Sequence, residues 1–124
     1  MHAPLTLLCL PCAGASATMY LRWRRLLPHW IRIAPVELPG RGSRLGEPAV
    51  EDFGQLVSLL CAEQRQAMRG RFALLGHSMG ALLAFGMARQ LREEGRELPL
   101  ALVASGSPAP VSYTHLTLPT KRIV

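Results

Sequence analysis

The sequence lacks the features that mark several common protein classes. No apolar run reaches the roughly 18 residues of a membrane span. The N-terminal stretch MHAPLTLLCLPCAG has no basic leader and only a short apolar run, which predicts a strand rather than a signal peptide. No basic run with interleaved aromatic residues is present, so nucleic-acid binding is disfavoured. These absences predict a cytoplasmic protein with no nucleic-acid partner and no membrane partner.

Cysteines are scarce, and their number is odd. The three cysteines are Cys9, Cys12 and Cys61, which without a secretory signal favours reduced thiols over disulfides. Cys9 and Cys12 form a C-x-x-C pattern, but Cys9 lies inside the apolar run LTLLCL, where a buried and unreactive thiol is expected. We therefore expect no metal and no cofactor, with a redox or metal-binding role for these two thiols as the alternative.

Positive charge is the strongest bias of composition. Lysine and arginine number 14 against 8 acidic residues, a formal net charge of +6. A basic surface favours an acidic protein partner, although a solvated surface without a partner is the alternative. Hydrophobic residues make up 49% of the chain, which is enough for the packed core of one modest domain.

The last fourteen residues, VSYTHLTLPTKRIV, differ from the rest because they contain the chain's lysine but no glycine, alanine or acid. The run VSYTHLTLPT looks like a translated sequencing-library adapter, the transposon end used in tagmentation. We expect residues 1–110 to be the N-terminal part of one domain and residues 111–124 to be a non-native tail, excluded from fold reasoning. The alternative is a real β-strand, since SYTHLTL alternates in polarity.

Strand and helix patterns alternate along residues 1–110. Short apolar runs predict strands, and apolar residues at i, i+3 and i+4 predict helices. This alternation predicts an α/β fold, with a mostly parallel sheet and helices on both faces. The predicted strands are 5–10, 30–38, 71–76 and 98–106, and the predicted helices are 19–27, 51–68 and 79–94.

The stretch FALLGHSMGALLAF places Ser78 between Gly76 and Gly80. A G-x-S-x-G pentapeptide that follows a strand and opens a helix is typical of a nucleophile elbow. In that turn a side chain at either glycine would clash with neighbouring backbone, and the serine hydroxyl is raised above the sheet. We predict Ser78 as a nucleophile and the Met79 backbone N–H as an oxyanion donor. The alternative is a serine that only caps the helix.

A second oxyanion donor is expected from the loop after an early strand. The loop PCAGAS follows the first predicted strand, and its small residues would let the backbone approach a substrate carbonyl. We predict the backbone N–H of Ala13 as this donor, with Cys12 next. An ordinary glycine-containing turn is the alternative.

A serine nucleophile needs a histidine base and a carboxylate, and in hydrolases with this elbow both follow the serine along the chain. No aspartate follows Ser78, and the later histidine, His115, lies within the tail. His77 adjoins the serine, but neighbours in a tight turn point apart, so we predict a packing or turn-stabilising role. The later acids, Glu93, Glu94 and Glu97, lie at the end of the predicted helix or just past it, so we expect them to be solvated. The sequence therefore does not complete a catalytic triad.

Four ordered blocks between about Leu5 and Pro110 resemble the type II thioesterases of nonribosomal peptide and polyketide synthesis, within the α/β-hydrolase superfamily. The blocks are LLCLPCAGASATMYLRWRRLLP, VELPGRGSRLGEP, FALLGHSMGALLAFGMARQLREEG and LVASGSPAP. The resemblance implies a partial α/β-hydrolase fold, truncated before the lid and the C-terminal strands. Cys12 departs from the family, in which many members carry histidine or another larger residue.

The resemblance also implies an activity. Such enzymes hydrolyse acyl and aminoacyl thioesters from the phosphopantetheine of carrier-protein domains in a synthase, here through Ser78, and the substrate brings the phosphopantetheine. It implies a catalytic Asp and His beyond Pro110, so we expect this chain alone to be nearly inactive and, with an unpaired sheet edge, poorly soluble. The alternatives are a general esterase or lipase, an acyltransferase, and a non-catalytic fragment that binds carrier proteins.

Sequencing reads can test the origin of the tail. We expect adapter-trimmed reads to stop at the codons for Pro110 and Val111, because the codons that follow would come from the library adapter. Continuous coverage of these codons by trimmed reads would show that residues 111–124 are encoded by the gene.

Overall fold

A computed structural model describes residues 4–11 and 17–105, with side chains described for all of these except residues 17–19, 22 and 105. The predicted tail lies outside these residues. Four parallel strands form one sheet in the order β2-β1-β3-β4. The strands are β1 (Leu5–Leu10), β2 (Ile31–Pro35), β3 (Phe72–His77) and β4 (Leu102–Ser105). All four predicted strands are confirmed, and β2 and β4 are shorter than expected.

The two central strands are apolar because both of their faces are covered. Leu8, Cys9 and Leu10 of β1 are fully buried, as are Phe72 and Leu74 of β3. Burial on both faces explains why these strands read as continuous apolar runs instead of alternating patterns. In the β1–β3 ladder Leu10 is paired with Gly76, so both strands end at the same edge of the sheet.

Two α-helices cover one face of the sheet, and a 3-10 helix covers the other. The α-helices are α1 (Phe53–Glu63) and α2 (Met79–Glu93), which share the larger core cluster with Leu8, Leu10 and Leu74. The 3-10 helix (Ala17–Arg25) adds Tyr20 to a smaller cluster with Cys9, Ile33 and Leu75. The expected coverage of both faces is therefore confirmed. No helix in the described part of the chain has the length and apolarity to cross a bilayer.

The helix predicted at 19–27 is wrong in type and in position, because the structure has a 3-10 helix that begins at Ala17. This segment has three arginines and no acid, so no ion pairs between successive turns favour an α-helix. The helix predicted at 51–68 is shorter than expected and ends at Glu63. Met68 is still buried, but it lies in the turns that follow the helix. The predicted helix was too long because Met68 continues the apolar spacing of α1 beyond its end.

The ends of both α-helices follow recognisable capping chemistry. Asp52 is the N-cap of α1, where its carboxylate accepts a hydrogen bond of 2.8 Å from the Gln55 N–H. The predicted α2 is confirmed to within one residue, and Gly95 follows it with a φ of 69°. A positive φ just beyond a helix is the conformation that favours glycine.

Arg44 ties the loop after β2 to α1. Its guanidinium binds the Glu63 carboxylate at 2.8 and 2.9 Å and the Glu47 carboxylate at 2.8 to 3.1 Å. It also donates to the Glu37 carbonyl at 3.0 Å. Hydrogen bonding to Arg44 lowers the pKa of Glu47 below its usual value. Arg44 of the block VELPGRGSRLGEP thus stabilises the loop that follows β2.

Candidate active site

Ser78 has a strained backbone conformation at the junction of β3 and α2. Its φ is 57° and its ψ is −118°, and it is the one non-glycine residue with positive φ in the described part of the chain. Such a conformation costs on the order of 1–3 kcal/mol and persists only where the surrounding structure imposes it. The turn expected of a nucleophile elbow is therefore present at the expected residue.

The two flanking glycines are required by backbone contacts. A Cβ atom on Gly76 would overlap the carbonyl group of Gly80, and a Cβ atom on Gly80 would overlap the Leu10 carbonyl oxygen and lie 2.8 Å from that of Pro11. Backbone atoms cannot move aside as the end of a flexible side chain can. The first turn of α2 thus packs directly on the carboxyl ends of both β1 and β3.

This contact lies at a switch point in the sheet. From β1 the chain runs to β2 on one side and then returns to β3 on the other side. In open α/β sheets, ligands bind in the crevice beyond the strand ends at such a point, because the two loops diverge there. Ser78 follows β3 and Pro11 follows β1, so the segments after these two strands line the crevice. The close contact of Gly80 with Leu10 and Pro11 holds these two segments together.

The Ser78 side chain does not cap α2. Ser78 is at the N-cap position but makes no side-chain capping hydrogen bond, and its carbonyl accepts instead from the Ala81 N–H at 2.9 Å. The alternative of a purely capping serine is therefore wrong. Met79 is the first residue of α2 and is half-buried. The first N–H groups of a helix have no partner within the helix and carry partial positive charge, which suits an anion beside Ser78.

The later glutamates lie at the opposite end of α2 from Ser78. Fifteen residues at 1.5 Å each separate Ser78 from Glu93, which is about 22 Å along the axis. Glu93 and Glu94 pair with Arg89 and Arg96 at 3.6 and 3.1 Å. Glu97 accepts from the Gly70 N–H, just before β3 begins, at 3.1 Å. None of these three carboxylates is placed to orient a base at Ser78.

The remaining predicted site residues divide between described and undescribed parts of the chain. His77 is the last residue of β3 and is half-buried; its packing or turn-stabilising role stays a prediction. Ala13 and Cys12, the expected second oxyanion donors, lie outside the described residues, as does His115. Among the described residues, no group of three or more histidine, cysteine or acidic side chains is arranged to hold a metal ion.

The two described cysteines are buried, and burial disfavours their thiolate forms. Cys9 is fully buried, and its thiol donates a weak hydrogen bond of 3.5 Å to the Leu7 carbonyl. Burial raises the pKa of Cys9 to about 12 and that of Cys61 to about 11. A redox dithiol needs a lowered thiol pKa and access to solvent. The structure therefore argues against the redox alternative for Cys9.

Tyr20 was not predicted to have a role near the site. Its hydroxyl donates a buried hydrogen bond of 2.6 Å to the Leu10 carbonyl, at the end of β1. The one sequence signal for Tyr20 is its place within the block LLCLPCAGASATMYLRWRRLLP. Its separation of ten residues from Leu10 matches neither helix nor strand periodicity, so the sequence does not predict this contact. The contact depends on how the 3-10 helix packs on the sheet.

Comparison with known proteins agrees with this geometry. The profile of the thioesterase domain matches residues 5–122. The chain belongs to the thioesterase domain family. The chain is 37% identical over 108 residues to the gramicidin S biosynthesis protein GrsT of Aneurinibacillus migulanus, and the match covers 87% of the chain and 42% of GrsT.

Solved structures confirm the fold class and the expected resemblance. RedJ, a thioesterase from the prodiginine pathway of Streptomyces coelicolor, superposes with a TM-score of 0.81 at 40% identity, covering 87% of this chain and 41% of RedJ. The type II thioesterase BorB from the borrelidin cluster superposes at 0.79 with 38% identity, covering 89% and 44%. The predicted α/β-hydrolase fold is confirmed. The chain spans about two-fifths of the length of these relatives.

Replacing Gly80 with alanine should destabilise the domain. In the domain completed to the length of its relatives, we expect Gly80→Ala to lower the free energy of unfolding by about 2 kcal/mol or more, because the new methyl group meets the backbone at the end of β1. The matched control is Gly46→Ala, where a Cβ meets nothing within 4 Å and φ is not positive. Urea denaturation measures both, and equal stabilities would contradict the required contact.

The buried thiols should resist alkylation. We expect iodoacetamide at pH 8 to leave Cys9 and Cys61 unmodified in the folded domain, because the thiolate is the reactive form and their pKa values are about 12 and 11. Both should react in urea, as site-resolved mass spectrometry can show. Since these pKa values exceed the reference value of 9.0, the thiols' contribution to stability should be full below pH 9 and decline above it. Equal alkylation of folded and unfolded protein would contradict the expected protection of the two thiols.

Proposed function

We propose that the complete protein hydrolyses acyl and aminoacyl thioesters from the phosphopantetheine of carrier-protein domains, with Ser78 as the nucleophile. The observation that carries this proposal is the strained Ser78 turn, packed through Gly80 on the end of β1. The family supports thioester chemistry, and GrsT, named for gramicidin S biosynthesis, supports service to a synthase. The phosphopantetheine belongs to the substrate, and the protein adds no cofactor of its own.

In the proposed reaction the Ser78 oxygen attacks the thioester carbonyl. The carbonyl oxygen becomes negatively charged and is stabilised by the Met79 N–H and by a second N–H from Ala13 or Cys12. The C–S bond then breaks, the pantetheine sulfur leaves with a proton as a thiol, and an acyl ester forms on Ser78. Water hydrolyses this ester, which releases the free acid and restores the serine hydroxyl.

The base and its carboxylate partner are proposed to lie in the part of the domain beyond Pro110. The glutamates after Ser78 sit at the far end of α2, and the sequence has no aspartate after Asp52. The relatives extend well beyond the matched region. A chain without the base and its partner retains only the roughly 10³–10⁴-fold acceleration over water that an oxyanion site and binding can supply.

The positive charge of the chain suits an acidic partner. Arginine and lysine exceed acidic residues by 14 to 8, and several of the acids are already paired within the protein, such as Glu47 and Glu63 with Arg44. Complementary charge mainly speeds encounter and fixes orientation. We propose that this excess favours the docking of an acidic carrier domain.

Hydrolysis assays of the complete domain test the proposal. We expect cleavage of an acyl thioester on a carrier domain, and we expect Ser78→Ala to lower kcat by at least about 10³-fold with little change in thermal midpoint, because the reaction loses its nucleophile. The 124-residue chain should show a small fraction of the full rate.

Other outcomes identify the alternatives. Faster cleavage of simple esters than of carrier-bound thioesters would favour an esterase, and transfer to an added acceptor would favour an acyltransferase. Full activity in Ser78→Ala would contradict the serine mechanism. Carrier binding without turnover, together with no labelling of Ser78 by a fluorophosphonate, would favour a non-catalytic binding protein.

A further inference from the structure

Tyr20 connects the 3-10 helix, to which it belongs, with the end of β1. Its side chain is 2% exposed and packs with Cys9, Ile33 and Leu75 on the sheet face that the 3-10 helix covers. The ring meets Trp23 edge-on, with centroids 5.6 Å apart and planes at 85°. These contacts hold the phenol ring in place, so the direction of its hydroxyl is fixed as well.

The hydroxyl of Tyr20 and the backbone of Gly80 meet the same peptide group. Tyr20 donates 2.6 Å to the Leu10 carbonyl oxygen. That oxygen is also the nearest atom to the Cβ position of Gly80, on the first turn of α2, with the Pro11 carbonyl next. The Leu10 carbonyl is therefore held by the 3-10 layer while it packs on the helix that begins beside Ser78.

We propose that Tyr20 is a positioning residue for thioester cleavage. Its hydrogen bond fixes the orientation of the Leu10–Pro11 peptide, and this orientation sets the separation between the end of β1 and the Met79 N–H. This inference rests on the proposed function, in which an oxyanion is bound between the segment after β1 and the start of α2. As a positioning residue, Tyr20 acts through the Leu10–Pro11 peptide and not by contact with the substrate.

An oxyanion site must be built with strict geometry to stabilise the transition state. Donors stabilise the developing charge when they lie about 2.7–3.1 Å from the oxyanion, and removing one donor costs roughly 10²–10³-fold in kcat. A displacement on the order of 1 Å can cost about 10²-fold. Without the phenol hydroxyl, the Leu10 carbonyl loses a short buried partner, and the peptide that leads out of β1 gains freedom to rotate. The transition state then loses stabilisation, whereas ground-state binding of the acyl chain does not.

The test uses Tyr20→Phe in the complete domain, because this change keeps the ring and removes one oxygen. We expect kcat for an acyl thioester to fall by about 10- to 100-fold, with KM changed by less than about twofold. The affinity for a trifluoromethyl ketone, which forms an oxyanion-like adduct with the serine, should fall by a similar factor. The affinity for the product acid should stay the same.

Ile33→Val is the matched control, since Ile33 packs in the same cluster as Tyr20 and has no hydroxyl to donate to the Leu10 carbonyl. It should lower the thermal midpoint while kcat stays within about twofold. Equal kcat values for Tyr20→Phe and the parent, or equal losses in both variants at matched stability, would overturn the positioning role.

If Tyr20→Phe does not fold, Trp23→Leu replaces it, because it keeps the hydroxyl and removes the ring that packs on Tyr20. A kcat loss of about threefold or more at constant KM then supports the proposal, and an unchanged kcat overturns it.

The outcome for Ser78→Ala separates the two proposals. If Ser78→Ala abolishes turnover but Tyr20→Phe does not reduce it, only the positioning role fails. If Ser78→Ala leaves turnover intact, the serine mechanism fails, and the positioning role fails with it.

Discussion

The direct packing of the first turn of α2 on the ends of β1 and β3 is the constraint on which the site depends. Gly76 and Gly80 permit it, because neither position has room for a Cβ atom. A strand and a helix that approach so closely leave a single residue to reverse the chain, and that residue, Ser78, takes a positive φ. The geometry proposed for catalysis is thus a consequence of backbone packing.

Helix docking readily outweighs the strain at Ser78. The strained conformation costs on the order of 1–3 kcal/mol, whereas full burial of one large apolar side chain contributes about 1.5–3 kcal/mol. α2 alone contributes three such side chains with no exposure: Leu83, Met87 and Leu91. The turn can therefore stay strained while the domain remains folded. The same docking orients the positive end of the α2 dipole toward the crevice beyond β1 and β3.

Particular residues show how far sequence reasoning reached. The elbow at Ser78 was predictable because a strand, a G-x-S-x-G pattern and a helix are contiguous in the chain, so local rules apply. The remoteness of Glu93, Glu94 and Glu97 from Ser78 followed from helix length. The 3-10 form of residues 17–25 was missed because apolar spacing predicts a helix without fixing its type, and this segment has no acidic residue to form the ion pairs that favour an α-helix. The early end of α1 at Glu63 was missed because Met68 keeps apolar spacing after the helix has stopped.

The sequence by itself determined the parallel α/β order, the buried character of β1 and β3, and the turn at Ser78, because each arises from residues that are neighbours along the chain. Tertiary structure alone decided which segment lies beside the Ser78 turn, namely the end of β1. The strand order β2-β1-β3-β4 puts the end of β1 beside the end of β3. Packing from two opposite layers then brings Tyr20 and Gly80 to the Leu10 carbonyl. Such contacts join residues that are far apart in the chain, and no local periodicity records them.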